Sequence, residues 1–288
     1  MFLKPFAYER ATTLGEACDL LRSHGEAAKV LSGGQSLLPM MNAGLLYCDV
    51  VVDISRLEGL PGVEAVASDG FVTLGALVTH AELAGVEAVR RHLPLVAEAA
   101  RHVGNGRVRN RGTLGGSLAH ADPAAEIPLV MTALGARVQV SDGRSEREIP
   151  AEELAVSFFS TQLAFDEVLT AVRVPVLGPG WGWSFLELAR RSGDFAYAAV
   201  AALVRTAGGE VVEARLAVGG VGERPMRLGA VEVTLSGAGR AELAERSAIT
   251  EPLQPPSDAN ASAAHRRRVL PVLVRRALDE AFARSEAA

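Results

Sequence analysis

The sequence predicts an α+β protein with two unlike parts. Residues 1–176 alternate short apolar strands with helices, whereas residues 177–288 begin with three strands in succession and end on one long helix. The segment Leu177-Gly178-Pro179-Gly180 lies between them and has the composition of a linker. We therefore expect one domain over residues 1–176, with subdomains at about 1–55 and 56–176, and a second domain over residues 177–288.

The first subdomain is expected to be a strand, helix, strand unit. Thr13 is followed three residues later by Glu16, which is the form of a capping box and predicts a helix that runs to about His24. The apolar runs at residues 29–31 and 50–54 predict two buried strands. The first of these strands runs directly into a glycine pair.

The second subdomain should mix strands and helices. Residues 71–74 predict a strand, and a capping box at Thr79 predicts a helix that ends before Pro94. Another helix is expected at about residues 95–102.

Further along, Asp122 followed by Pro123 predicts the start of a helix that reaches Leu134. Asp142-Gly143, between two apolar runs, predicts a β-hairpin. The second domain is expected to contain strands at 183–188, 197–204 and 211–218 and a final helix at about 265–283.

Composition narrows the possible functions. The net charge of −5 gives the chain no general attraction to nucleic acid or anionic membranes. No apolar run is long enough to span a bilayer, and the N-terminus lacks the features of a secretory signal, so we expect a cytoplasmic protein. Cys18 and Cys48 do not form a C-x-x-C pair, so this chain is not expected to hold an iron–sulfur cluster or a structural zinc ion.

Two glycine-containing segments are candidates for ligand binding. The first glycine segment, residues 32–36 (Ser-Gly-Gly-Gln-Ser), follows a predicted strand. The second glycine segment, residues 113–117 (Thr-Leu-Gly-Gly-Ser), precedes Glu126, whose carboxylate suits a ribose diol. Adjacent glycines allow the backbone to approach a phosphate, but a simple tight turn explains either pattern as well. Two such segments in one chain favour a diphosphate ligand that is held from both sides.

Other nucleotide and catalytic motifs are absent. The sequence has no G-x-x-x-x-G-K-[ST] motif, and Gly220-Val221-Gly222 lacks the third glycine of a dinucleotide-binding fingerprint. It also has neither H-E-x-x-H nor G-x-S-x-G. His102 and His120 flank the second glycine segment, and a surface or core role is the simpler interpretation of each.

Four ordered stretches resemble the medium, FAD-binding subunit of carbon-monoxide-dehydrogenase-like molybdenum hydroxylases, which is related to the flavin domain of xanthine dehydrogenase. The resemblance covers nearly the whole chain. The stretches are residues 28–41 (AKVLSGGQSLLPMM), 109–126 (RNRGTLGGSLAHADPAAE), 189–196 (ARRSGDFA) and 262–268 (SAAHRRR).

The resemblance implies a PCMH or vanillyl-alcohol-oxidase-type FAD-binding domain of two α/β subdomains. It also implies a C-terminal domain with a three-stranded antiparallel sheet and helices. One FAD per chain is implied, with no catalytic residue and no metal ligand on this chain. The implied cofactor-binding residues are Lys29, Val30, Leu31, Ser32, Gly33, Gly34, Gln35, Ser36, Val103, Thr113, Leu114, Gly115, Gly116, Ser117, Glu126, Leu169, Glu187, Asp194 and Phe195.

Three of these residues depart from the family pattern. Gln35 stands where His is also common, and Ser117 where Asn is frequent, and both retain hydrogen-bonding capacity. Phe195 stands where an aromatic residue, often Tyr, lies against the isoalloxazine ring. Its missing phenol oxygen is expected to affect the flavin potential or the choice of acceptor, although packing in a core also explains a Phe.

The resemblance implies an electron-transfer role in a complex. A large subunit would carry molybdopterin and hydroxylate a small substrate such as carbon monoxide, an N-heteroaromatic compound (nicotine or a purine alkaloid) or an aldehyde. Electrons would pass through two [2Fe–2S] clusters of a small subunit to FAD, and then to a quinone, NAD or another acceptor. A dimer of heterotrimers is implied. The basic residues 265–268 with 275–276 suit either a subunit contact or a solvated helix face.

Two alternatives stay open at the level of sequence. A stand-alone oxidase of the vanillyl-alcohol type would share the FAD architecture, but this chain is too short for the additional substrate domain. A stand-alone FAD-binding or FAD-storing protein would need no partner subunits.

Overall fold

The N-terminal unit is a three-stranded parallel sheet in the computed structural model, which describes residues 4–60 and 62–288. Its strands are ordered β1-β3-β2, and β3 is buried along its full length. The elements are β1 (Ala7–Arg10), α1 (Leu14–His24), β2 (Ala28–Leu31), α2 (Leu37–Asn42) and β3 (Val50–Asp53). The predicted strand, helix, strand unit is therefore confirmed.

The cap of α1 differs from the predicted capping box. Thr13 does cap the helix, since its hydroxyl accepts a hydrogen bond from the Glu16 N–H at 3.2 Å. The Glu16 carboxylate, however, accepts from the N–H and the hydroxyl of Thr12, at 2.8 and 3.0 Å. Thr12 offers two donors to that carboxylate, whereas the Thr13 N–H would offer one.

The second unit is a four-stranded antiparallel sheet, ordered β4-β9-β5-β6, with helices packed on it. The predicted hairpin forms between β5 and β6, and the capping box at Thr79 is complete. The elements are β4 (Phe71–Gly75), α3 (His80–Gly85), α4 (Glu87–His92), α5 (Pro94–His102), α6 (Gly106–Arg109), α7 (Leu114–His120), α8 (Glu126–Leu134), β5 (Arg137–Ser141), β6 (Glu146–Pro150), α9 (Ala151–Leu154), β7 (Ala155–Ser157), β8 (Ser160–Thr161) and β9 (Val168–Pro175).

Two helix predictions in this unit were wrong in their limits. The helix after Thr79 is interrupted at Val86, which has an extended conformation and separates α3 from α4. The helix predicted from Asp122 begins at Glu126 instead. That later start places Pro128 third in the helix, where no intrahelical N–H bond is needed. Asp122 accepts the Ala124 N–H in a local turn, at 2.8 Å.

The C-terminal unit is an antiparallel sheet covered by a long helix. The three predicted strands form, and a two-residue fourth strand extends the sheet in the order β10-β11-β12-β13. The elements are β10 (Trp181–Leu188), β11 (Ala198–Ala207), β12 (Glu210–Gly219), β13 (Met226–Arg227), α10 (Gly229–Leu235), α11 (Leu243–Arg246) and α12 (Ala263–Glu286). The α+β fold is therefore confirmed.

Strand β11 contributes side chains to the cores of both the second and the C-terminal units. Ala199, Ala201 and Leu203 belong to the core of the second unit. The alternating residues Val200 and Ala202 pack in the core beneath α12. Because successive side chains of a strand point to opposite faces, β11 is apolar on both faces and buried between two cores. Within the described ranges, no helix has the length and apolar character needed to cross a bilayer.

Candidate functional site

The two glycine segments lie against each other in the structure. The Ser32 and Thr113 hydroxyl oxygens are 2.8 Å apart, within hydrogen-bonding distance. Gly33 packs closely on the backbone of residues 111–112. A Cβ atom at position 33 would lie 2.0 Å from the Arg111 carbonyl oxygen. A glycine at position 33 is therefore needed for the two segments to meet.

The first glycine segment presents a row of unused backbone donors. The five consecutive N–H groups of residues 33–37 make no hydrogen bond to the described part of the protein. Gly34 turns the chain with a φ of +73°, a conformation that favours glycine. Consecutive amides around such a turn form a concave site for an anion, so the segment fits the diphosphate of a dinucleotide.

The second glycine segment is built differently from what the sequence indicated. Its glycines lie in the first turn of α7, not in a loop, and Thr113 caps that helix by accepting the Gly116 N–H at 3.1 Å. The Leu114 and Gly115 amides donate to the carbonyls of Val78 and Ala76, both at 2.9 Å, in the turn that follows β4. The amides of residues 114–117 are therefore already occupied, and a ligand would meet side chains such as Ser117 instead.

Gly115 serves packing, which gives a testable difference. A Cβ at this position would lie 2.7 Å from the Ala76 Cβ and 3.0 Å from the Ala76 carbonyl oxygen. We expect Gly115→Ala to lower the free energy of unfolding of the cofactor-free protein by about 1–3 kcal/mol, as overpacked cores do. Chemical denaturation measures this. The matched control is Gly85→Ala, where no described residue beyond the helix's own backbone comes within 4 Å of the added atom. Equal stability of the two variants would contradict the packing role.

A second group of predicted residues gathers where α5 ends. Gly193 packs on Gly104, so that a Cβ on Gly193 would lie 2.7 Å from the Gly104 carbonyl oxygen. This contact brings the 189–197 loop, with Asp194 and Phe195, next to Val103. Phe195 is 64% exposed, which leaves its ring free to contact a ligand.

Two carboxyl groups lie in the same region. Glu187 is on β10 with a side chain only 7% exposed, and its Oε1 atom is 3.1 Å from the His102 Nδ1 atom. Its Oε2 atom is buried and makes no hydrogen bond within the described residues. Burial raises the pKa of Glu126 to about 7, and the negative charge of Glu187 adds to the rise. At neutral pH Glu126 can therefore either donate or accept a hydrogen bond.

The remaining predicted residues contribute in other ways. Lys29 and Gln35 have exposed side chains, and Gln35 donates from Nε2 to the Gly33 carbonyl at 3.3 Å. Val30 and Leu31 are half-buried in β2, which carries the first glycine segment. Leu169 is buried in β9, on which α7 packs. Leu169 therefore contributes to the site by supporting α7, the helix that contains most of the second glycine segment.

Three important side chains were not assigned to the site by sequence reasoning. His102 contacts Glu187, and Arg109 donates from Nη1 to the carbonyls of Val103 and Gly104 at 3.0 and 2.9 Å. Arg266, from the basic run on α12, is 3% exposed and donates to the carbonyls of Tyr197 and Gly220. These contacts join residues far apart in sequence, and the nearest signal in the sequence was the position of Arg109 and Arg266 inside resembling stretches.

Comparisons with known proteins identify the family of this chain. Residues 4–177 match the family described as the FAD binding domain in molybdopterin dehydrogenase, and residues 183–281 match the CO dehydrogenase flavoprotein C-terminal domain. The nicotine 6-hydroxylase medium subunit of Paenarthrobacter nicotinovorans is 41% identical over 99% of this chain and 100% of its own length.

Solved structures give the same result. Carbon monoxide dehydrogenase of Hydrogenophaga pseudoflava superposes with a TM-score of 0.93 at 33% identity, covering 99% of both chains. Quinoline 2-oxidoreductase of Pseudomonas putida 86 gives a TM-score of 0.91 at 34% identity, again over 99% of both chains. The chain thus belongs to the family of FAD-binding medium subunits of molybdenum hydroxylases.

Proposed function

We propose that this chain binds one FAD and passes electrons from the [2Fe–2S] clusters of a partner subunit to an external acceptor. The family membership and the row of five free amides in the first glycine segment support this role. FAD, when bound, supplies the redox chemistry, because it accepts and releases electrons. The protein contributes binding, orientation and control of solvent access.

Each part of the site has a proposed task. The amides of residues 33–37 bind the diphosphate, and the Ser32–Thr113 contact fixes the position of that segment. The carboxyls of Glu126 and Glu187 bind hydroxyl groups of the cofactor, which would provide a partner for the buried Glu187 Oε2 atom. We propose that the 189–197 loop, which carries Asp194 and the exposed Phe195 ring, covers the isoalloxazine and excludes water. Lys29, Val30, Leu31, Gln35, Ser36, Val103, Leu114, Gly115, Gly116, Ser117 and Leu169 complete the proposed site.

The proposed partners are a large molybdopterin-binding subunit and a small [2Fe–2S] subunit, in a dimer of heterotrimers. The relatives that cover the full chain are named as medium subunits, chains or subunits of complexes, which supports this assembly. The substrate of the complex would be carbon monoxide, an N-heteroaromatic compound such as nicotine or a purine alkaloid, or an aldehyde. The acceptor would be a quinone, NAD or another oxidant.

The domain limits and the compartment are part of the same proposal. We propose an FAD-binding domain over residues 1–176, with subdomains at about 1–55 and 56–176, and a C-terminal domain over residues 177–288. Of the four sheets in the described residues, one lies in residues 1–55, two lie in 56–176 and one lies in 177–288, so no sheet crosses a proposed boundary, which supports the division. Both cysteines are free thiols, as is usual in the reducing cytoplasm, and we propose that location.

A stand-alone FAD-binding or FAD-storing protein is not favoured, since relatives that match nearly the whole chain are named as the medium subunit of nicotine 6-hydroxylase and the medium chain of carbon monoxide dehydrogenase. Two measurements test the proposal. The chain purified alone should take up added FAD in a one-to-one ratio, as followed by flavin absorbance. Produced together with the molybdopterin and iron–sulfur subunits of its own organism, it should co-purify with them. A colourless chain that ignores added FAD would refute the cofactor role, and a flavoprotein that never associates would refute the partner role.

The role of Phe195 can be tested separately. Because this ring is 64% exposed, Phe195→Ala should change the free energy of unfolding by no more than about 0.5 kcal/mol. We expect the midpoint potential of the bound cofactor to rise, because water would reach the ring system and favour the more highly charged, reduced form. The matched control is the buried Phe185, where Phe185→Ala should cost about 3–5 kcal/mol. An unchanged potential in Phe195→Ala would show that the ring does not cover the cofactor.

A further inference from the structure

His102 makes a contact that the proposed cofactor role does not use. It is the last residue of α5, and its Nδ1 atom lies 3.1 Å from Oε1 of Glu187 on β10. The imidazole also packs edge-on against Phe185, with the ring centroids 5.1 Å apart. Two contacts from β10 therefore fix the ring where the helix ends, a position that favours positive charge.

The carboxyl group on the other side of this contact is nearly enclosed. The Glu187 side chain is 7% exposed, and its Oε2 atom has no hydrogen-bond partner among the described residues. In that same part of the chain, His102 is the one side chain that hydrogen-bonds to the group. Removing the partner of a buried charge leaves that charge uncompensated, which is costly.

The groups around His102 are mostly acidic. Glu98 lies on the same helix, Glu187 on β10 and Glu126 on α8, and all three attract its positive charge. The hydrogen bond to Glu187 raises the pKa of His102 above its usual value, more than burial lowers it. Farther out, α12 places Glu280 and Arg284 beside Glu98. One further cation is close, since the Arg109 guanidinium bonds the carbonyls of the two residues after His102. The helices α3 and α4 also pack on α5 and carry titratable groups of both signs: His80 and Glu82 on α3, and Glu87, Arg90 and Arg91 on α4.

We propose that His102 is a positioning residue of the cofactor site, which as an imidazolium holds the Glu187 carboxylate in place and offsets its charge. This inference rests on the proposed FAD-binding role. Glu187 stands at the base of the 189–197 loop, where the Tyr197 N–H donates to the Leu188 carbonyl at 2.7 Å. An uncompensated carboxylate at that place would repel a ligand that carries two phosphates. His102 therefore supports FAD binding through Glu187, without itself contacting FAD.

The affinity for FAD is expected to decrease as the pH rises. Below its pKa, His102 is charged and the pair with Glu187 is intact; as the pH rises through that raised pKa, the imidazolium is lost and FAD should bind less tightly. Burial raises the pKa of Glu126 to about 7, so Glu126 also ionises near neutral pH, and it adds negative charge in the same direction. The contribution of His102 must therefore be measured where Glu126 cannot ionise.

The test is a titration of FAD into the cofactor-free full chain from about pH 5 to pH 9, the range in which imidazoles titrate. The chains compared carry Glu126→Gln alone, or with His102→Gln, with Glu187→Gln, or with both. His24→Gln, an exposed histidine on α1, is the matched control. With Glu126→Gln alone, we expect the affinity to fall roughly tenfold as the pH rises, which is within the usual range for two coupled binding events.

Adding His102→Gln should remove this fall and leave the affinity near its high-pH value. The His102→Gln and Glu187→Gln effects should not add, because both variants break the same contact. A second measurement does not depend on FAD: the imidazole of His102, followed by NMR in the cofactor-free chain, should titrate at lower pH after Glu187→Gln.

Three results would overturn the inference. The first is a pH profile that keeps its fall after His102→Gln, and the second is full additivity of the two substitutions. The third is a His102 titration that Glu187→Gln leaves unmoved. If the wild-type chain binds no FAD at any pH, the proposed function fails and the inference with it, whereas FAD binding that ignores His102 overturns the inference alone.

Discussion

Gly33→Ala should abolish tight FAD binding and also destabilise the protein. The added Cβ would lie 2.0 Å from the Arg111 carbonyl oxygen, 2.7 Å from its carbon and 2.9 Å from the Gly112 Cα atom. All three are backbone atoms, so no side chain can rotate away to relieve the overlap. The two glycine segments must therefore separate.

Separation has two measurable consequences. The Ser32–Thr113 hydrogen bond breaks and the row of amides at residues 33–37 moves. If two hydrogen bonds to the diphosphate are lost, at about 1.5–3 kcal/mol each, the FAD dissociation constant should rise at least about a hundredfold. We expect the free energy of unfolding of the cofactor-free chain to fall by about 3 kcal/mol, at the upper end for overpacked sites. FAD titration and chemical denaturation measure the two effects.

The control for this variant is Gly15→Ala in the first turn of α1. Outside its own helical turn, no atom of the described residues lies within 4 Å of a Cβ at Gly15, and its φ is not in the left-handed region. We expect this control to bind FAD normally and to be at least as stable as the wild type. A Gly33→Ala chain that retained FAD as tightly as the control would refute the assignment of the first glycine segment as the diphosphate site.

Local patterns predicted much of the fold. The complete capping box at Thr79, the hairpin around Asp142-Gly143 and the strands of the C-terminal sheet depend on neighbouring residues, and each was visible in the sequence. The start of α8 was predicted too early, at Asp122, because an Asp followed by a Pro is common where a helix begins. Pro128 was the better signal, since a proline can occupy the first turn of a helix without the loss of a hydrogen bond.

The site was less predictable because its contacts are distant in sequence. The two glycine pairs look alike as letters, yet Gly33 meets the Arg111 backbone while Gly115 meets Ala76. Which amides are free depends on the acceptors that the rest of the fold brings near, and these are not encoded in the motif. The pairing of His102 with Glu187 joins a helix end to a strand 85 positions away, which no local pattern could indicate.

Arg266 is the clearest case of a residue whose role the sequence concealed. In the sequence it belongs to a basic run, whereas in the structure its side chain is 4% exposed. Its Nη1 atom donates to the carbonyls of Tyr197 and Gly220, at 2.6 and 2.9 Å, and Nη2 donates to Asp258 at 2.6 Å. One guanidinium thus ties α12 to the ends of the 189–197 loop and β12.

Arg266→Ala should lower the free energy of unfolding by about 3 kcal/mol. The buried Gly220 carbonyl and the half-buried Tyr197 carbonyl lose their charged donor. Loss of one partner from a buried ionic contact costs about 3–5 kcal/mol. The lower end applies because Asp258 is 43% exposed and would be hydrated after the loss. We also expect weaker FAD binding, because Tyr197 closes the loop that carries Phe195. Chemical denaturation and FAD titration test both expectations.

Arg267→Ala provides the control, because it removes the same charge from the adjacent position of the same helix. Arg267 is exposed and forms no ion pair in the part of the chain that the structure describes. Its replacement should change stability by no more than about 0.5 kcal/mol and leave FAD binding intact. If the two variants unfolded at the same denaturant concentration, the effect would come from net charge, and Arg266 would not hold the loop. If both stability and FAD binding are lost in Arg266→Ala and kept in Arg267→Ala, the C-terminal helix stabilises the cofactor site through the Arg266 side chain.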